Sequence, residues 1–135
     1  MTPEDIKERR IQAFLQLALE EKDAGALLRS TNPRQAAYFL QQAVEKLVRA
    51  TLEHAEVPAG PTHSIRALTD LLPQEHRLRE LFLAFDDWSA AATRFRYPSS
   101  IGKVAVISSD EVEYRLSTAT NLATEVANFL GRRSA

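Results

Sequence analysis

An all-α fold is what this sequence of 135 residues predicts, arranged as an up-and-down antiparallel bundle of about five helices, four long and one short. Three observations carry that expectation. Apolar residues recur at three- and four-residue steps along four extended stretches, which places them on one side of a 3.6-period helix. Residues that start and stop helices bracket those stretches. The one run with strand propensity, Val104-Ala105-Val106-Ile107, has no second run to pair with and is read as an extended connector.

The first helix opens at Thr2, whose hydroxyl suits a cap, followed by Pro3 for the first turn and by Glu4 and Asp5 near the positive end of the helix dipole. It should run to about Leu28 and pack through Ile11, Phe14, Leu15 and Ala18. Ser30-Thr31-Asn32-Pro33 breaks the pattern and restarts it, with Asn32 as the expected cap and Pro33 at the first helical position. The central helix then extends to about Ala55. Ala36, Phe39, Leu40, Ala43, Leu47 and Ala50 give it a packing face. Tyr38, Gln42, Glu45 and Arg49 form a second row that is polar, and its Glu45–Arg49 pair is worth ~0.2 to 0.5 kcal/mol to an isolated helix.

Val57-Pro58-Ala59-Gly60-Pro61 cannot continue a helix and forms a loop. Thr62-His63-Ser64 leads into a short helix with Ile65, Ala67, Leu68, Leu71 and Leu72, closed by Pro73. From Gln74 the helical spacing resumes through Leu78, Leu81, Phe82, Phe85, Trp88, Ala92 and Phe95, so a fourth, long helix is expected as far as Tyr97-Pro98. Its aromatic row is read as packing. Ser108 with Glu111 three residues on resembles a capping box, and Val112, Leu116, Ala119, Ala123, Val126 and Leu130 stripe the last helix, which Gly131 ends.

Composition narrows the class. Hydrophobic residues at 44% and charged residues at 26% are ordinary for a globular domain, which argues against disorder, and one domain over residues 1–135 is expected. No run is apolar enough to span a bilayer and MTPEDIKERR lacks a signal-peptide core, so a cytoplasmic protein is expected. With no cysteine, disulfides, thiolate metal sites and cysteine nucleophiles are excluded. A formal net charge of -1 means that binding to a nucleic acid must rest on a local basic patch. No phosphate-binding glycine loop, serine-nucleophile motif or histidine pair at helical spacing is present, and no metal or cofactor is expected. Asp86 and Asp87 are adjacent on a helix and so diverge, which rules out a paired acid/base role.

The central QQAVEKLVRA, the proline-containing loop, Thr62-His63-Ser64 before paired leucines, and Arg96-Tyr97-Pro98 closing a long helix together resemble the HEPN family, over about Phe14 to Leu130. The resemblance implies a helical, homodimeric domain that binds a nucleotide or RNA. It also implies a nucleotidyltransferase partner, in some cases within a toxin–antitoxin pair. Many members are metal-independent ribonucleases with an Arg-x4-6-His motif, and here the sequence departs. Counted from Arg94 or Arg96, the positions where the motif's histidine would fall read Ser99-Ser100-Ile101-Gly102-Lys103, without histidine. Arg49 and His54 have the spacing, but they sit at the end of the central helix, outside the motif's context. A competent catalyst is therefore not the expectation.

Arg94, Arg96, Tyr97 and Lys103 are the candidate ligand-binding cluster, because guanidinium groups bind phosphate in a forked manner and a ring can stack on a base. The alternative is that these cations complement a helix dipole and that Tyr97 closes the bundle end. Gln42, Glu45, Lys46 and Arg49 resemble polar positions of the family, although the family more often has Lys where Arg49 stands. Gln42, Lys46 and Arg49 are candidate ligand contacts, or else the four form a dimer-facing or partner-facing surface. His63 suits acid/base work near neutral pH or ordering of its loop, whereas His54 and His76 read as exposed. Two alternatives to the binding domain remain: a ribonuclease toxin using Arg96, Tyr97 and His63 brought together in space, and a non-catalytic protein-interaction module.

Overall fold

The computed structural model describes residues 1–132, without the side chains of residues 91 and 92, so Ala92 of the aromatic stretch and the three C-terminal residues lie outside the described set. The described residues form six α-helices and one 3-10 turn, with no strand among them. Three helices are long: α1 (Pro3–Leu28), α2 (Pro33–His54) and α6 (Ser109–Phe129). Three are short: α3 (Ile65–Thr69), α4 (Arg79–Leu83) and α5 (Ala91–Arg94), with the 3-10 turn Asp86–Trp88 before α5.

The start of α1 follows from its sequence. Thr2 Oγ1 accepts the Asp5 N–H at 3.1 Å while the Asp5 carboxylate accepts the Thr2 N–H at 2.9 Å. Those bonds hold the Asp5 carboxyl below its usual pKa. α2 begins at Pro33 as expected, but Asn32 does not cap it through its side chain: only its carbonyl takes part, accepting the Ala36 N–H at 3.0 Å. α1 and α2 run antiparallel, as Lys7–Glu56 and Arg10–Glu53 near one end and the approach of Gly25 to Leu40 toward the other show. A Cβ at Gly25 would meet Leu40 Cδ2 at 2.9 Å, so glycine there permits the close approach of the two helices. Arg29 pairs with Glu113 and Arg132 with Glu8, which sets α6 in the opposite sense to α1. α6 is capped by Ser108, whose Oγ accepts the Glu111 N–H at 3.1 Å, and Gly131 follows it with φ 72°.

α2 lies at the centre, packed on α1, α6, α3 and α5. Its expected packing face is buried except for Phe39, which is half-buried, but burial continues round the helix to Ala37, Gln41, Val44, Glu45, Val48, Thr51 and Leu52. The polar row is thus not a free surface: Glu45 is only 3% exposed. On α1, Ile11, Leu15 and Ala18 are buried and Phe14 is half-buried; on α6, Val112, Ala119 and Val126 are buried, joined by Leu122 and Ala127.

The expected long fourth helix is a correction. The chain between residues 74 and 96 turns through α4, the 3-10 segment and α5. Asp86 and Ser89 interrupt it. Asp86 Oδ1 accepts the Arg66 N–H at 3.1 Å and Ser89 Oγ accepts the Ile65 N–H at 2.9 Å, so both side chains serve the exposed start of α3. Phe82, Phe85 and Trp88 nevertheless all point inward, because steps of three residues suit a 3-10 turn as well as they suit a helix. Phe85 and Trp88 meet edge-on at 5.6 Å between ring centres, and Trp88 meets Phe95 at 6.2 Å.

Candidate functional site

The loop between α2 and α3 is tied to α2 by residues one helical turn apart. Gln41 Nε2 donates to the His63 carbonyl at 3.2 Å, and Arg49 donates to the carbonyls of Gly60 at 3.0 Å and Thr62 at 2.7 Å. Between them Glu45 Oε1 lies 2.9 Å from His63 Nδ1 and 3.7 Å from Arg49 Nη2. A buried carboxylate thus has two basic partners, which is what its desolvation requires. The His63 ring is otherwise 69% exposed. Ser64, next in the chain, caps α3 through its hydroxyl.

Opposite this loop stands the end of α5. Arg96 Nη1 donates to Tyr38 Oη at 3.3 Å, and its guanidinium lies 4.8 Å from the Tyr38 ring centre and 5.6 Å from that of Tyr97. Between the two walls runs a groove of about 460 Å³, lined by Tyr38, Gln42, His63, Ser64, Ser89, Ala90, Thr93, Arg96 and Tyr97. On the far side of Tyr97 a second groove, of about 360 Å³, is lined by Thr93, Arg94, Tyr97, Pro98, Ser99, Lys103, Val104 and Ala105. Neither lining contains a carboxylate. Arg94, Arg96 and Lys103 form no ion pair among the described residues.

The residues singled out in the sequence therefore divide. Arg96, Tyr97, His63 and Gln42 share the first groove, while Arg94, Lys103 and again Tyr97 share the second. Lys46 lies on neither and pairs with Glu21 at 2.5 Å. Arg49 sits behind the loop that carries His63. His54 turns its edge to Phe129, so the Arg49–His54 spacing brings no shared site. His76 is half-buried rather than exposed, 4.8 Å from the Phe129 ring centre, and burial lowers its pKa.

Sequence reasoning placed Tyr38 and Glu45 on the polar row of the central helix without naming them among the ligand contacts, and it missed Gln41. Tyr38 precedes Gln42 by one helical turn, and Gln41 and Glu45 precede Arg49 by two turns and one, so helical spacing from the residues already singled out was the available signal.

A profile of the HEPN domain matches residues 12–129. The chain belongs to the HEPN family. The matched span contains every residue that lines both grooves, so the site is part of the HEPN domain itself. Searches of curated proteins and of solved structures each found no significant match. In this HEPN domain the histidine that shares a groove with Arg96 is supplied by the loop ahead of α3, not by the residues that follow the arginine. Among the described residues no group of three His, Asp or Glu side chains converges as metal ligands would, and no helix is long and apolar enough to cross a membrane.

Proposed function

We propose that this HEPN domain binds a nucleotide or RNA in the paired grooves around Tyr97, as a homodimeric cytoplasmic protein that works with a nucleotidyltransferase partner in a toxin–antitoxin pair. The observation that carries the binding reading is the lining: Arg96 on one side of Tyr97, Arg94 and Lys103 on the other, the Tyr97 side chain exposed between them and no carboxylate. Cations without a protein counter-ion attract phosphate, and an exposed ring offers a stacking face to a base. The homodimer, the partner and the pairing with it are supported by membership of the family alone. Calorimetric titration with nucleotides and a short single-stranded RNA at low salt is expected to show saturable heat that Arg96→Ala weakens. A flat titration at high protein concentration removes the binding reading. Co-purification with the product of the neighbouring gene tests the partner.

A second reading, a metal-independent ribonuclease, is favoured by one specific observation. His63 shares the groove with Arg96 and Tyr97, and its Nδ1 is held by Glu45. An imidazole oriented by a carboxylate beside a guanidinium is able to move a proton and hold a phosphate at once. Incubation with total RNA decides: cleavage that disappears in both Arg96→Ala and His63→Ala supports it, and intact RNA eliminates it.

A further inference from the structure

We propose that His63 reads a ribose 2′-hydroxyl, so that the groove prefers ribonucleotides to deoxyribonucleotides through an imidazole acceptor whose tautomer Glu45 sets. The inference rests on the nucleotide-binding reading above and adds the residue that selects the sugar.

The argument begins at Glu45, whose side chain is 4% exposed and whose Oε1 lies 2.9 Å from His63 Nδ1. An ionised carboxylate only accepts hydrogen bonds, so Nδ1 carries the proton, and the neutral ring then has its lone pair on Nε2. Nε2 is on the side of the ring away from α2, and the ring lines the groove with 69% of its side chain exposed. Its placement is fixed from behind: Gln41 holds the His63 carbonyl, Arg49 holds those of Gly60 and Thr62, and Ser64 anchors the next turn as the cap of α3.

Arg96 across the groove is a donor only and suits phosphate. A nucleotide held by its phosphate there presents a sugar hydroxyl within the same groove, and a hydroxyl needs an acceptor. The Ser64 and Ser89 hydroxyls are engaged: Ser64 Oγ accepts from Ala67, while Ser89 Oγ accepts from Ile65 and donates to Asp86. The Gln42 amide nitrogen is bonded to Gln41 Oε1, which leaves Gln42 Oε1 as a competing acceptor beside the hydroxyls of Tyr38, Thr93 and Tyr97 that also line the groove. Of these, His63 Nε2 is the one whose acceptor state is fixed by a buried charge, since a hydroxyl or an amide can also turn a donor toward the ligand. A deoxyribose leaves that nitrogen without its partner, and the 2′-hydroxyl is the group by which proteins distinguish the two sugars.

The test uses the full chain at pH 8 and low salt. Affinities are measured by calorimetry for AMP against 2′-deoxy-AMP and for a hexaadenylate ribonucleotide against its deoxy counterpart. One hydrogen bond predicts a ribose preference of about three- to tenfold. A preference in the AMP pair assigns the contact to a free nucleotide, and one confined to the hexamers assigns it to an RNA strand; either supports the proposal. The ratio falls to about one in His63→Ala and in Glu45→Leu, and Glu45→Gln, whose Oε1 can still accept the Nδ1 proton, keeps it. Because Glu45 is buried, folding is checked by circular dichroism, and the exposed His63 carries the test where Glu45→Leu does not fold. Equal affinity for the two sugars in the unmodified chain, with binding still lost in Arg96→Ala, overturns this proposal and leaves the anion site standing. No binding of any of the four probes removes both. A ratio lost in Gln42→Ala but kept in His63→Ala assigns the contact to Gln42 and overturns it, as does a long-range ¹H–¹⁵N spectrum showing the proton of His63 on Nε2 at pH 8.

Discussion

Two groups of basic side chains in this protein differ in what answers their charge. Along the helix seams Arg10 meets Glu53 at 2.6 Å, Lys46 meets Glu21 at 2.5 Å, Arg79 meets Asp70 at 2.7 Å and Arg66 meets Asp86 at 3.1 Å. Around Tyr97, Arg94, Arg96 and Lys103 have no carboxylate among the described residues, and the two arginines rest on rings instead, with Arg94 4.7 Å from the Phe95 ring centre. The first population joins elements and cancels its own charge locally. The second leaves positive charge in one place on a chain whose formal net charge is -1. Local pairing, not the overall balance, decides where an anion can bind.

The comparison can be broken most severely from beneath. Phe82→Ala removes a ring that is 0% exposed and is expected to cost about 3–5 kcal/mol in a urea titration, taking the groove with it because α4 and the 3-10 turn rest on that core. Arg96→Ala separates the populations: nucleotide affinity should drop about tenfold or more while the thermal midpoint stays within experimental error, since the lost groups are charged donors at an exposed position. Arg10→Ala tests the paired population and should lower stability by ~0–1 kcal/mol with unaltered nucleotide affinity. The smallest effect concerns pH. Burial depresses the pKa of His76, and its neutral Nδ1 accepts the Leu78 N–H at 3.2 Å. The unfolded chain then binds the proton more readily, so this contribution is present above the unfolded pKa of about 6.5 and is lost as pH falls through it toward the lower folded value. Thermal midpoints measured from pH 8 to pH 5 should decline, and His76→Gln should flatten part of that decline.

How far the sequence speaks differs between elements for physical reasons. Thr2 and Ser108 act on N–H groups three residues away, so local chemistry was enough to place both helix starts. Asn32 had the same chemistry and did not use it. The fourth helix failed because Asp86 and Ser89 bond to Arg66 and Ile65, more than twenty positions earlier in the case of Ser89, and no window of periodicity contains those partners. The inward aromatic row was still legible, since the core demands the same residues whichever turn presents them. In the site, Arg96, Tyr97 and Lys103 could be read from the clustering of cations beside a ring. Helical spacing put Tyr38 and Glu45 beside the other polar residues of α2 but could not give their roles, which depend on what the chain brings across from residues 63 and 96. Burial of Glu45 was hidden for a related reason: a polar row predicts a surface unless another segment folds over it, and the loop held by Gln41 and Arg49 does so here.

The central claim, that the unpaired cations around Tyr97 make the anion site, is tested most directly by titrating the ¹⁵N-labelled chain with AMP and mapping the amide shifts. Saturable shifts concentrated on Tyr38, Gln42, His63, Thr93, Arg96 and Tyr97 are the predicted result. Shifts centred on the paired seam around Lys7, Arg10 and Glu53, or none that saturate, would contradict it.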